Sequence, residues 1–162
     1  MIAVTNPSQE AVREAAASDL PEIVSLINRA FEVERFFKAG DRTDPETVEQ
    51  NMKDGKFLVL REGNEMVACA WLKITRDRAY LGTLSVDPSR QKSGWGARMM
   101  REAEAYARAA GCRALDIRIV NLRIELPGIY RKLGFVETGT EVLRDTEKFT
   151  QPVHFIKMSK AL

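Results

Sequence analysis

Two short stretches of this chain hold residue types at spacings that could do chemistry. The first is Gln91-Lys92-Ser93-Gly94-Trp95-Gly96, set between a predicted strand and a predicted helix. Backbone N–H groups at a helix start, with the positive end of the helix dipole, form a ready site for an anion. Glycines let the backbone come close to a ligand where a Cβ would clash, and Arg90 and Lys92 add mobile positive charge. The second stretch is Tyr130-Arg131-Lys132-Leu133-Gly134-Phe135. A phenol of pKa about 10 can hand its proton to a departing thiolate whose acid has a pKa of about 8.5. Each stretch also has a plainer reading. A Gly-x-Gly turn can join strand to helix and bind nothing, and Tyr130 can be a core residue ahead of a helix-ending Gly134.

Two familiar phosphate-binding loops are excluded. No Gly-Lys-Ser/Thr follows four residues after a glycine, so the first stretch is not a P-loop. It lacks the third glycine of a dinucleotide fingerprint and lies in mid-chain, outside any opening strand–turn–helix unit.

The elements that must position these residues can be read from periodicity. Residues 11–15 predict a first strand. Ser18 and Asp19 then offer an N-cap, Pro21 falls in the first turn, and Ile23, Leu26, Ile27, Ala30 and Phe31 follow at helical spacing. A second helix is expected from Asp44-Pro45-Glu46 to just before Gly55. Residues 56–61 and 66–75, joined by Glu62-Gly63-Asn64-Glu65, predict a hairpin. Residues 79–86 predict a strand that ends at Asp87-Pro88. A helix over residues 96–110 follows, with Met99, Ala103, Tyr106 and Ala110 on one stripe and Gly111 as its stop. Leu115, Ile117 and Ile119 alternate with Asp116 and Arg118, a strand pattern. A short helix at 128–133 and strands at 136–143 and 153–158 complete the order β-α-α-β-β-β-α-β-α-β-β. The crossover between residues 79 and 120 makes its two strands parallel, and the others pair largely antiparallel. The expected fold class is α/β in the α+β sense, a mixed sheet with helices on both faces. Residues 1–9 read as a tail and residues 10–162 as a single domain.

Composition narrows the partners. With 44% hydrophobic residues in 162, one core can form without a disulfide or metal staple. The charged residues, 30% of the chain, nearly cancel to a formal +2, which argues against a nucleic-acid partner. Cys69 and Cys112 sit in apolar stretches with no Cys or His at ligand spacing, and His154 stands alone. No metal is therefore expected, and buried free thiols suit a reducing compartment. The first ten residues lack the basic start and apolar core of a signal peptide. The longest apolar run, residues 66–72, is too short to span a bilayer. The sequence reads as cytoplasmic, without a membrane partner; a homodimer is left open.

The stretch Leu81-Gly82-Thr83-Leu84-Ser85-Val86-Asp87-Pro88, followed by Gln91-x-x-Gly94-x-Gly96, resembles the acetyl-CoA-binding core of the GNAT superfamily of N-acetyltransferases. Tyr130-x-x-Leu133-Gly134-Phe135 resembles that family's second signature. Asn121, Arg123-x-Glu125-Leu126, Arg13, Asn28-x-Ala30-Phe31 and His154-Phe155-x-x-Met158 are similar to one branch of it. The likeness thus runs through nearly the whole chain in order. It implies a GNAT-like fold, a mostly antiparallel central sheet with two parallel strands that splay apart.

It also implies acetyl-CoA as cosubstrate. The pyrophosphate would be wrapped by backbone N–H groups of Gln91, Lys92, Ser93, Gly94, Trp95, Gly96 and Ala97. The backbones of Leu84 and Val86 would pair with the pantetheine arm and help to polarise the thioester carbonyl. Asn121 would sit beside the pantetheine, and Tyr130 matches the position that often protonates the CoA thiolate. In many relatives a shorter span separates the Asn from the Tyr, whereas here residues 122–129, with Pro127-Gly128, intervene.

The amine must also lose a proton, because an alkyl ammonium of pKa about 10.4 is only roughly one part in two thousand neutral at pH 7. Some relatives place a glutamate on the fourth strand for this, but residues 81–86 contain no acid. Glu34, with Glu32 near it, is the expected substitute. A water chain to backbone carbonyls is another route, and both glutamates also read as solvated surface. The function expected is direct acetyl transfer to a primary amine of a small molecule or peptide. An acyl-cysteine route is not expected, since neither cysteine has a recognisable base. Two alternatives stay open: acetylation of a protein or tRNA-linked amine, and a CoA-binding sensor without turnover.

Overall fold

The computed structural model describes residues 11–162, so the expected tail at 1–9 lies outside the described residues. Within them the element order matches the expectation. Strand β1 (Val12–Glu14) leads into α1 (Leu20–Ala30) and α2 (Pro45–Asp54). Strands β2 (Lys56–Glu62), β3 (Glu65–Thr75) and β4 (Arg78–Val86) follow, then α3 (Trp95–Ala109), β5 (Ala114–Val120), α4 (Leu126–Lys132), β6 (Val136–Val142) and β7 (His154–Ala161). No helix among the described residues is long and apolar enough to cross a membrane.

The strands form one sheet in the order β1-β2-β3-β4-β5-β7-β6. All pairs are antiparallel except β4 with β5, which the α3 crossover makes parallel. The chain places β7 inside and β6 at the edge, an order the sequence pattern did not specify. Burial accounts for it: Met158 of β7 is 1% exposed, while every residue of β6 is exposed.

Two cores lie on opposite faces of this sheet. On one face, α3 contributes Met99, Met100, Ala103 and Ala107 against Leu58, Leu60, Ala70, Leu81 and Leu115. On the other, Ile23, Leu26 and Ile27 of α1 and Val48 of α2 cover Phe57, Val59 and Cys69. Each fully buried aliphatic chain of this kind is worth about 1.5–3 kcal/mol.

The expected cap of α1 is only half right. Asp19 stands at the N-cap position, but its side chain makes no capping hydrogen bond. The carboxylate instead accepts from Arg13 at 2.8 Å, from Arg61 at 3.3 Å and from the Ala16 backbone N–H at 2.7 Å. The Arg13 hydrogen bond, outweighing burial, holds the Asp19 carboxyl well below the usual carboxylate range. This pairing ties β1 and β2 to the start of α1, where it outcompetes a local cap.

Candidate active site

The parallel pair β4–β5 is in register only over Arg78–Ala114, Ala79–Leu115 and Tyr80–Asp116. Beyond Tyr80 the two strands part. A bulge in β4 coincides with the parting: Trp71 of β3 faces Gly82, yet Cys69, two residues earlier, faces Ser85. The extra residue brings Thr83 to a φ of 48°, a left-handed conformation that is a genuine outlier for a β-branched side chain. The carbonyl of Thr83 accepts from the Ser85 hydroxyl at 2.9 Å, while its own hydroxyl oxygen is buried with no hydrogen-bond partner.

A cavity of about 470 Å³ fills the gap. Its lining includes Leu84, Leu126 and Tyr130, which pack against the α3-side core, and Phe31, which packs against the α1-side core. The cavity therefore passes from one face of the sheet to the other, through the only break in the strand pairing between β4 and β5.

Next to the cavity, between β4 and α3, the chain offers mostly backbone; none of residues 85–97 lines the cavity itself. Asp87 accepts from the backbone N–H of Ser89 at 3.0 Å and from its hydroxyl at 2.7 Å, opening a 3-10 turn over Pro88–Arg90. Lys92 and Gly94 then take φ values of 67° and 90°. Left-handed residues interleaved in such a loop turn successive N–H groups toward one concave side, an anion-binding arrangement. Gly94 is the N-cap of α3 and offers no side-chain bond to the first turn, so the N–H groups there are left for another acceptor. A Cβ on Gly94 would meet nothing within 4 Å; its conformation, not crowding, demands glycine. Of the residues expected to bind cofactor, Gln91 reaches back to the Val86 carbonyl at 3.4 Å, and Lys92, Ser93 and Gly94 are exposed. Trp95 is buried in the core, which leaves only its backbone for the loop, and Gly96 and Ala97 open α3 beside it.

Tyr130 lies on α4, its ring edge-on to Phe135 with centroids 5.5 Å apart. The turn at the end of α4 holds this pair together, since Phe135 N–H donates back to the Tyr130 carbonyl at 3.0 Å. The phenol hydroxyl has no hydrogen-bond partner among the described residues. Burial raises its pKa above the ordinary phenol value, and the charge of Arg123 opposes that only in part. The group is thus held as a proton donor.

Glu34 is not solvated surface. It is 6% exposed, on a 3-10 turn after α1, and it lines the same cavity. Its Oε2 accepts from Arg123 Nη1 at 2.9 Å, and Arg123 Nε donates to Glu125 at 2.8 Å. Glu32, by contrast, is exposed. Asn121 is placed elsewhere: its Oδ1 accepts from the His154 backbone N–H at 2.9 Å, and its own N–H donates to the His154 carbonyl at 3.0 Å. It lies at the end of β5 and pins the start of β7; its side chain is not part of the cavity wall.

Several lining residues carried no signal in the sequence. Tyr80 stacks beneath Arg118, whose guanidinium lies 4.9 Å from the rings of both Tyr80 and Phe155. Gly82 makes room for that ring, because a Cβ there would come within 3.0 Å of Tyr80 Cε1. Arg42, Lys38 and Phe149 come from loops that periodicity left blank. Arg123 was noticed only within a motif; its ion pair with Glu34 spans 89 positions of chain.

Residues 20–135 match the family model described as Acetyltransferase (GNAT) family. The chain belongs to the GNAT acetyltransferase family. Among curated proteins it is similar to an amino-acid acetyltransferase of Azotobacter vinelandii, with 29% identity over 86% of this chain and 31% of that protein. It is also similar to an IAA acetyltransferase of Azospirillum brasilense, with 31% identity over 53% of this chain and 58% of that protein. The chain thus spans about a third and just over half of the lengths of these two relatives. A GNAT family acetyltransferase from Elizabethkingia anophelis, solved with acetyl-CoA bound, shares the fold at a TM-score of 0.77. Its sequence identity is 15% over 96% of this chain and 99% of that one.

Proposed function

We propose that this protein moves the acetyl group of acetyl-CoA directly to a primary amine of a small molecule or peptide. One observation carries the reading: a single cavity crosses the sheet at the β4–β5 gap, lined by Tyr130 on the α3 side and Glu34 on the α1 side. Acetyl-CoA enters from the α3 side, its pyrophosphate on the loop at Gln91–Gly96 and its pantetheine along the unpaired edge of β4 at Leu84 and Val86. The amine enters from the α1 side, where the Glu34 carboxylate accepts its proton directly or through water. The amine nitrogen attacks the thioester carbon, and backbone donors of the bulged β4 stabilise the oxyanion. The C–S bond then breaks, the thiolate takes the Tyr130 proton, and the second proton leaving the nitrogen restores the phenol. The products are an N-acetyl amine and free CoA thiol, with one proton returned to solvent from the former ammonium.

Both cysteines stand outside this chemistry. They are free and buried, and burial pushes the Cys69 thiol up to about 12, far from the thiolate an acyl-enzyme route needs. Calorimetry with acetyl-CoA, followed by thiol release across a panel of primary amines, tests the proposal. Micromolar binding with amine-dependent thiol release is the expected result. Binding without release for any amine would make the protein a CoA sensor, and absence of binding would sink the reading altogether.

A further inference from the structure

Among the described residues only two buried side-chain atoms have no hydrogen-bond partner, Arg42 Nε and Thr83 Oγ1, and both residues line this cavity. Buried polar atoms are nearly always satisfied, and an orphan costs about 1–3 kcal/mol. Both orphans belong to residues of one cavity wall, where a polar ligand could draw them into hydrogen bonds by a small side-chain rotation. Arg42 stands out further, since it forms no ion pair or hydrogen bond with a described residue. Its one described contact is the face of Phe31, 4.9 Å from the guanidinium carbon.

The surroundings hold that guanidinium ready. Asn28, one turn before Phe31 on α1, donates to the Thr43 carbonyl at 3.1 Å and accepts from the Thr43 N–H at 2.9 Å. Both bonds fix the chain at the residue after Arg42, while Phe31 supports the side chain from below. Charge is left over as well. Among the cations of the lining, Arg123 is matched by Glu34 and Glu125, and Arg118 by Glu141. Arg42 and Lys38 remain, with Asp145 as the one unmatched acid. Burial first, and then the Arg42 charge, lower the Lys38 pKa from its ordinary value. Two half-buried like charges share one corner of the cavity, and an anion would relieve their repulsion.

We propose that the acceptor amine carries a carboxylate, and that Arg42 binds it as the specificity-determining residue, with its planar fork on the carboxylate oxygens. This rests on the acetyl-transfer reading, with Arg42 on the same α1 side of the sheet as Glu34. The acceptor class is then an amino acid or a peptide presenting a carboxylate within a few bonds of its amine. A neutral or polycationic amine would leave the half-buried Arg42 charge unanswered.

The test compares free amino acids with their C-terminal amides as acceptors, in the wild type and in Arg42→Gln. The wild type should favour the acids by roughly tenfold or more in kcat/KM, the scale of one charge-assisted hydrogen-bonded pair. Arg42→Gln should abolish that preference and leave acetyl-CoA affinity by calorimetry unchanged. Arg42→Lys should restore part of it. A binding readout covers the case of slow turnover: the Arg42 Nε–H resonance, assigned by its loss in Arg42→Lys, should shift when CoA-loaded protein is titrated with N-acetyl amino acids but not with their amides. Equal use of acids and amides, or no shift with any acid at millimolar concentration, would overturn the assignment while acetyl-CoA binding still stood. A preference for succinyl-CoA over acetyl-CoA that vanishes in Arg42→Gln would overturn it differently, by giving the carboxylate to the acyl donor. Loss of acetyl-CoA binding in the wild type would remove the reading beneath.

Discussion

Where β4 runs into the loop at residues 87–94, just outside the cavity, the chain offers backbone; in the cavity itself, across to α1, the wall is side chain. The first surface is made by conformation. Lys92 and Gly94 take positive φ, α3 starts without a side-chain cap, and the bulge at Thr83 frees one edge of β4. The second is made by assembly, with Phe31 and Glu34 from around α1, Arg42 from a loop, Tyr80 and Arg118 from two strands, and Phe149 from a later loop. A backbone site serves a ligand that is always the same, because N–H groups cannot vary with sequence. A side-chain site can be rewritten residue by residue without touching the fold. The difference teaches where invariance and where choice reside in this molecule.

The sharpest way to test that division is at the residue between the two surfaces. Tyr130→Phe keeps the ring on Phe135 and removes only the hydroxyl, so stability should hold. The kcat should fall by about ten- to a thousandfold, on the order of 1.4–4 kcal/mol of barrier. Because burial raises the phenol pKa, the group stays protonated to higher pH than a free phenol. The Tyr130-dependent part of the rate should therefore persist through pH about 10, and be lost only above it. A wild-type rate in the variant, with chemistry shown to limit turnover, would reduce Tyr130 to a packing residue.

The backbone surface is tested by Gly94→Val. A β-branched residue at a φ of 90° should cost about 1–2 kcal/mol in stability and weaken acetyl-CoA by about tenfold or more, about 1.4 kcal/mol. Unchanged affinity in the calorimeter would separate the loop from the cofactor. The comparison breaks if this change alters amine preference as much as cofactor binding.

How much of this was legible in the chain follows the same division. The strand–helix order, the parallel crossover and the Gln91–Gly96 loop are written in local patterns, since periodicity, glycine and proline act within a few residues of themselves. The acceptor wall is not local. Glu34 read both as the expected base and as solvated surface, because nothing near it in sequence shows Arg123, and Arg42 sat in a stretch without period or motif. Asn121 was assigned to the cofactor through likeness, and its hydrogen bond from the His154 backbone N–H to Oδ1 had no signal in the sequence. The order of the last two strands had a signal that went unused. Val136–Val142 carries two glutamates, two threonines and a glycine, the composition of an edge.

The smallest expected effect is a control on the mechanism. Cys69→Ala removes a fully buried thiol beside β4, the strand proposed to carry the pantetheine. Turnover should stay within about twofold, with stability lower by about 1 kcal/mol. Abolished turnover in a folded variant would reopen a covalent route.

The break between β4 and β5 also governs traffic. In the proposed reaction, a cavity lined from both faces of the sheet would give acetyl-CoA and the amine separate approaches, so that neither need wait for the other. The bulge at Thr83 is in this sense a matter of timetable as much as of shape. On that reading, one residue too many in a strand would stand in for an ordered queue of reactants.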